Sequence, residues 1–367
     1  MHSSYPTTSY PEFRRAAASR PGRGGRGRAV TARAAVVALL AGLSGCSTIK
    51  HTAIDQLGDA LAAGGTTFAA DNDPQLIQSA APFSLKLMES LLAERPQHRG
   101  LLLAAASGFT QYAFAFVQQD ADELLEKDFA AGSALRDRAR RLYLRGRDFG
   151  LRGLDVAHAG FARGLRTDPR ATVRSATAAD VPLMYWTAAA WGAAIAQSKD
   201  NADLIADLGI VEALIDRAVE LNESFDAGAL HGFLIAYEMN RPAGAGDPEG
   251  RSRAHFARAV TLTDSQQAAP FVTLAESVAA TRQNRAEFEQ LLRRALAIDA
   301  EVRPEWRLVN LVMQRRARWL LGRLDELFLP PLAPDTPAVT ASDAPAPPDL
   351  ISEHPAPVAS TSSSPTP

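Results

Sequence analysis

The sequence predicts an all-α protein, and three observations carry that prediction. Alanine and leucine dominate the middle of the chain while runs of β-branched residues are scarce; apolar residues return at steps of three and four; and prolines sit where such periodic stretches begin. The period is plainest late in the body, where Trp306, Val309, Met313, Ala317, Leu320, Leu324 and Leu327 are spaced 3, 4, 4, 3, 4 and 3 apart. Side chains so spaced share one face of an α-helix, and that face must be buried against another element. Helices stacked in pairs are expected, because one pair cannot cover its own apolar face.

From the N-terminus, residues 1–45 stand apart. Seven arginines (Arg14, Arg15, Arg20, Arg23, Arg26, Arg28, Arg33) and one acid, Glu12, precede an apolar run, Ala34 to Leu43. That run is far short of the ~20 residues a bilayer span needs. A basic region, a short apolar stretch and small residues describe a secretory signal. Leu43-Ser44-Gly45-Cys46 resembles the lipobox of bacterial lipoproteins, and Cys46 is the only cysteine in the sequence. The resemblance implies cleavage before Cys46, a diacylglycerol thioether on its sulfur and an acyl group on the new amine. More than one chain is what stable anchoring requires. Ser47 at the next position, where aspartate would favour retention, implies the outer membrane. The expected lipid site is thus Cys46, and no later segment is read as long and apolar enough to insert.

Loss of residues 1–45 changes the charge. The chain has 39 basic and 41 acidic residues; the leader holds 7 and 1 of them, leaving 32 against 40, near −8. That balance argues against nucleic acid as a partner. Residues 46–70 are read as tether and first helix, and residues 71–329 as the helical domain. From Pro330 to Pro367, Pro, Ala, Ser and Thr dominate; such a tail cannot bury enough apolar surface to offset its ordering entropy. Within the domain, Asp73-Pro74 predicts an N-cap followed by proline at the first helical position. Further breaks are expected at Arg95-Pro96, Asp168-Pro169, Val181-Pro182, the 240–250 loop, Ala269-Pro270 and Arg303-Pro304, delimiting roughly ten to twelve helices.

Ala157, Phe161, Gly164 and Pro169 have the small–aromatic–small–proline spacing of a tetratricopeptide repeat; Ser252, Phe256, Ala259 and Asp264 have it without the proline. Weaker copies centre on Ala218 and Ala295. The intervals of 54, 41 and 36 residues between Gly164, Ala218, Ala259 and Ala295 are irregular, so the repeats are degenerate hairpins forming a compact superhelix or bundle. An alanine-rich bundle produces such spacings as well. Residues 71–123, 139–154 ("ARRLYLRGRDFGLRGL"), 182–238, 286–299 ("AEFEQLLRRALAID") and 304–321 ("PEWRLVNLVMQRRARWLL") carry a more specific likeness, most distinctively in SGFTQYAFAF and YWTAAAWG. They resemble the T-component family, tetratricopeptide-repeat lipoproteins associated with TRAP (tripartite ATP-independent periplasmic) transporters. The resemblance implies a periplasm-facing lipoprotein that binds a TRAP solute-binding protein, forms a homotrimer, and carries a cleft or pore for a hydrophobic or acidic organic ligand.

No catalytic constellation is apparent. No two of the seven histidines have H-E-x-x-H spacing, there is no second cysteine, and no G-x-S-x-G elbow occurs. Neither a catalytic residue nor a metal or cofactor is expected, apart from the lipid on Cys46. Two features are candidate binding surfaces. Aromatic residues with polar tips suit a cleft for an amphipathic ligand, which singles out Tyr112, Phe116, Tyr185, Trp186 and Trp191; core packing between helices is the more ordinary account of any one of them. Phe109, Tyr112 and Phe116 share a face, with Phe114 off it. The arginine-rich stretch 136–152 offers Arg141, Arg145 and Arg152 for docking an acidic partner or a carboxylate. Pairing with Asp137, Asp148 and Asp155 would make it an ordinary solvated face. The sequence is read as a non-enzymatic, lipid-anchored envelope protein assisting TRAP-type uptake; a scaffold lipoprotein in outer-membrane assembly would share every one of these features.

Overall fold

The computed structural model describes residues 56–60, 65–241 and 246–330. The leader, Cys46 and the tail beyond Pro330 lie outside them. The described residues form an all-α fold with no strand among them: α1 (Gly65–Ala69), α2 (Pro74–Glu94), α3 (Arg99–Leu124), α4 (Phe129–Ala157), α5 (Phe161–Thr167), α6 (Pro169–Thr172) and α7 (Val181–Ala196). Then follow α8 (Ala202–Ala206), α9 (Leu208–Asn222), α10 (Ala229–Tyr237), α11 (Pro248–Leu262), α12 (Ala269–Ala279), α13 (Arg285–Leu296), α14 (Arg307–Leu321) and α15 (Leu324–Leu327). The connections themselves carry short helices such as α5, α6, α8 and α15, which the expected ten to twelve did not include.

The starts follow local chemistry. Asp73 Oδ1 accepts from the Leu76 N–H at 2.9 Å with Pro74 at the first helical position. Asp128, Asp168, Asp247 and Asn284 do the same for α4, α6, α11 and α13, each satisfying an N–H with no intrahelical partner. Each proline break among the described residues falls at a helix boundary or in a connection, as at Pro96, Pro182 and Pro304; positions 242–245 of the 240–250 loop lie outside those residues.

Neighbours in sequence are neighbours in space. The helix α4 packs on α3 and α7; α7 packs also on α3 and α9; α10 lies on α11 and α12, and α13 on α12 and α14. The row then returns on itself, because α14 meets α1 and α2. Arg307 donates to the Ala70 carbonyl at 2.7 Å. Arg316 donates to both carboxylate oxygens of Glu276 (2.7 and 2.6 Å), to Gln119 Oε1 (3.0 Å) and to Asp122 Oδ2 (3.1 Å). Arg315 pairs with Asp120 and Glu123, each at 2.8 Å. Both sides of this junction adjoin wide, π-helical turns, Ala113–Gln118 in α3 and Ala275–Ala279 in α12.

One core, around Leu101, Phe109, Tyr112, Tyr143 and Phe149, unites α2, α3 and α4. A second, around Leu154, Met184, Trp191, Leu214 and Leu230, runs from α4 to α10. A third holds α12 to α15 together through Phe271, Phe288, Met313 and Phe328. Glycines open the close crossings of α4: a Cβ at Gly146 would lie 2.7 Å from Thr110 Oγ1, one at Gly153 2.6 Å from Leu183, and one at Gly150 would overlap Thr187 Oγ1.

The residues Ala157, Phe161, Gly164 and Pro169 fall at the end of α4, in α5 and at the start of α6, with Gly160, at φ 83°, turning the chain from α4 into α5. Two expectations need correction. The face of α14 is rotated: Val309 is exposed, whereas Asn310 and Gln314 are buried with Met313, Ala317 and Leu320. Those carboxamides are tolerated because they are bonded. Asn310 accepts from the Ala268 N–H and donates to the Gln266 carbonyl, each at 2.9 Å, and Gln314 donates to the carbonyls of Ala295 (3.2 Å) and Ile298 (2.7 Å). Finally, α3 is long and apolar enough by length and composition to cross a membrane. Its apolar side chains Leu101, Leu102, Phe109, Tyr112 and Phe116 are spent on the core instead.

Candidate functional site

The aromatic candidates occupy different settings. Tyr112 and Phe116 lie against each other, ring centroids 5.7 Å apart, buried in the α2–α4 core where α3 widens. Arg138 reaches the Tyr112 hydroxyl at 3.4 Å. Phe109 is buried on the same face and Phe114 is off it and exposed. Trp191 is 1% exposed. Its indole N–H donates to Asp207 Oδ2 at 3.2 Å, and Arg147 and Arg166 lie 5.0 and 5.7 Å from its ring. These three side chains are embedded in packing.

Tyr185 and Trp186 differ from them. As consecutive residues of α7 they project about 100° apart, so Tyr185 packs against the α4–α10 core and Trp186 against the α2–α4 core. Both remain half-buried. Their rings meet edge to face, centroids 4.9 Å apart. Phe225, half-buried in the turn between α9 and α10, brings a third ring to 5.6 Å from Tyr185.

That turn is conformationally unusual. Asp226 (φ 46°, ψ 54°), Ala227 (φ 51°, ψ 36°) and Gly228 (φ 89°) are left-handed in succession. Each non-glycine residue so held costs on the order of 1–2 kcal/mol, somewhat less for aspartate, whose short side chain tolerates the region. Gly228 is required for space as well, since a Cβ there would lie 2.8 Å from Leu262. Asp226 is exposed, and the protein on its other side raises its carboxyl pKa above the usual value by desolvation. Burial, and then the charge of Asp226, push the Tyr185 hydroxyl pKa upward. The result is a cluster of three half-buried rings, Tyr185, Trp186 and Phe225, suited to lie against an apolar body.

The arginine candidates are dispersed along α4. Arg145 is paired with Glu89 of α2 and lies 4.9 Å from the Phe109 ring. Arg152 donates to the Pro96 carbonyl at 3.1 Å and lies 5.4 Å from Phe149. Arg141 is exposed. Of the acids expected to pair with this stretch, Asp137 holds Arg140 and Asp148 holds Arg147, whereas Asp155 accepts from the Ala162 N–H at 3.0 Å and so ties α4 to α5.

Phe225 and Asp226 were not singled out by sequence. Their local signal was present: an Asp-Ala-Gly break between two periodic stretches reads as a turn. Their approach to Tyr185, forty positions earlier, had no local signal at all. A second polar group also escaped notice. His231 and His255 face each other, Nδ1 to Nδ1, at 2.9 Å. Glu223 stands 3.6 Å from His231 Nε2 and Glu238 4.0 Å from His255 Nε2. Burial lowers both imidazole pKa values. No group of three or more His, Cys, Asp or Glu among the described residues is placed to hold a metal ion.

Residues 70–328 match a family model described as TRAP transporter T-component. A protein of Treponema pallidum (strain Nichols), named there only as uncharacterized, is 31% identical over 266 residues, which cover 71% of this chain and 82% of the relative.

Proposed function

Since the chain belongs to the TRAP transporter T-component family, and so to an accessory of TRAP transport in the cell envelope, we propose that it partners a periplasmic TRAP solute-binding protein and assists hand-over of a small organic ligand. In this reading Cys46 carries the lipid that holds the chain at the outer membrane, and the helical domain faces the periplasm. The observation that carries the ligand role is the half-open surface of Tyr185, Trp186 and Phe225. Elsewhere on α3 and α7 the large aromatics other than the exposed Phe114 are sealed in cores; here the rings stay half-buried at the seam between two cores.

The test is association of the purified chain from Cys46 onward with a purified TRAP solute-binding protein, followed by calorimetry with and without the binding protein's solute. A micromolar complex that changes the indole emission of wild type but not of Trp186→Phe supports the reading. No measurable complex in either state removes the partner. Anchoring is tested separately: Cys46→Ala should leave the membrane fraction after a salt wash, and its retention there would exclude the lipid anchor.

A further inference from the structure

We propose that His231 and His255 form an acid-sensitive latch on the turn that holds Phe225 against Tyr185: with both imidazoles protonated the rings part and the turn is released from α11. The latch is a property of the turn and does not depend on what meets the aromatic surface. Three observations carry it.

The first is how the turn between α9 and α10 is held. One stripe of α11, His255, Arg258 and Leu262 at steps of three and four, supplies its fastenings. Arg258 pairs with Glu223 just before the turn, Leu262 lies 2.8 Å from where a Cβ of Gly228 would be, and His255 meets His231 just after it, Nδ1 to Nδ1 at 2.9 Å. Within these fastenings Asp226, Ala227 and Gly228 stand left-handed in succession, at φ 46°, 51° and 89°. A backbone so strained persists only while its surroundings over-determine it.

The second is what contact between two Nδ1 atoms demands. One ring donates its N–H and the other accepts through a lone pair. Glu223 stands 3.6 Å from His231 Nε2 and Glu238 4.0 Å from His255 Nε2. The nearer carboxylate favours a proton on His231 Nε2, which leaves His231 Nδ1 as the acceptor. A first added proton goes to His255 Nε2, beside Glu238, and the bond survives. A second must go to His231 Nδ1, where no lone pair is left for the His255 N–H and two like charges face each other. The third observation is that the carboxylates around the pair are already engaged. Glu223 is held by Arg258 of α11, Glu238 by Arg241 and by Arg251 of α11, and Asp216 of α9 by Arg241. His231 is 5% exposed, so water does not screen the second charge in place. The lowered pKa values of both rings agree, and put the opening on the acid side of the ordinary value of about 6.5.

The experiment is amide hydrogen exchange on the whole chain from Cys46 onward at pH 7.5 and pH 5.0, corrected for the intrinsic effect of pH, beside an imidazole 15N titration of the same protein. Residues 223–234 are expected to lose protection at least about tenfold at pH 5.0 while α4 and α7 keep theirs. The loss should follow the second protonation of the pair. His255→Gln removes the second charge, and protection of its turn should change by less than about twofold between the two pH values. A wild-type turn that stays protected with both rings protonated overturns the latch, as does a pair that is still singly protonated at pH 5.0. Equal loss in α4 and α7 marks global unfolding and overturns it too. So does a loss in His255→Gln as large as in wild type, which assigns the titration to another group. Should His255→Gln not fold, His231→Gln takes its place, and the wild-type titration decides by itself.

Discussion

Trp186 and Trp191 sit on one helix, five positions apart, and their surroundings assign them different costs. Trp191 is sealed on all sides and its N–H is spent on Asp207, so Trp191→Ala should lose about 3–5 kcal/mol in a urea melt. Trp186 is half-buried, and Trp186→Ala should lose markedly less; equal losses would mark Trp186 as core and take away the ligand wall. The imidazole pair responds to pH instead. With Nδ1 facing Nδ1, one ring must donate and the other accept, so the two cannot both be protonated while the bond holds. Around them stand Glu223 and Arg258 on one side and Glu238, Arg241 and Asp216 on the other. Burial holds both folded-state values below the ordinary 6.5. The unfolded chain therefore binds more protons as pH falls below about 6.5, and the pair's contribution is full above that pH and lost below it. The thermal midpoint should fall between pH 7 and pH 5 more steeply in wild type than in His255→Gln. Parallel pH profiles of the two proteins would show that the pair is not the titrating element.

At the scale of elements, the crossing of α4 with α3 and α7 depends on residues with no side chain to offer. Gly146, Gly150 and Gly153, at steps of four and three, line one stripe of α4, and Thr187 of α7 occupies the space where a Cβ of Gly150 would go. Thr187 is itself buried and donates to the Leu183 carbonyl at 2.6 Å. Gly150→Ala should force the two helices apart at a cost of about 1–3 kcal/mol, the range for overpacking a core, and Thr187→Ala in the same chain should return part of it. A Gly150→Ala protein as stable as wild type would mean the crossing yields without strain. The stripe was visible in the sequence as GRDFGLRG, but its use was not: the same spacing serves any helix with a narrow face. The arginines interleaved with it drew attention first, and most of them serve α4's own neighbours, as Arg145 does with Glu89 and Arg152 with the Pro96 carbonyl.

For the molecule as a whole, closure of the helical row is decided by a few long-range polar contacts. Arg316 is nearly buried, and it links Glu276 of α12 to Gln119 and Asp122 of α3, which lie some two hundred residues earlier. Removing one partner of such a group leaves buried charge uncompensated, so Arg316→Ala should cost about 3–5 kcal/mol. Arg315 makes analogous pairs with Asp120 and Glu123 near solvent, and Arg315→Ala should cost less than about 1 kcal/mol. Hydrogen exchange offers the sharper check: amides of α14 and of Ala275–Ala279 should lose protection in Arg316→Ala ahead of the α4–α7 core. Uniform loss throughout the chain would mean that closure and core fold as one unit.

The sequence by itself determined that the protein is helical, where most helices begin, and which family it belongs to. These are local or cumulative properties: the three-four spacing of leucine and alanine, an aspartate ahead of a proline at Asp73-Pro74, distinctive strings such as YWTAAAWG. It also marked the aromatic residues worth watching, without separating those that are buried from those that are open. That separation needed the tertiary structure, because Tyr112, Phe116 and Trp191 carry the same residue types on the same kinds of helix as Tyr185 and Trp186. Which of them a neighbour covers depends on helices that arrive from elsewhere in the chain. The same holds for the face of α14, where Asn310 and Gln314 are buried only because the carbonyls of Gln266, Ala295 and Ile298 come within reach, and for Phe225, whose ring reaches Tyr185 only once α9 is packed on α7. Period and capping are written into neighbouring residues; burial, charge pairing and the seam between cores arise from contacts between distant ones.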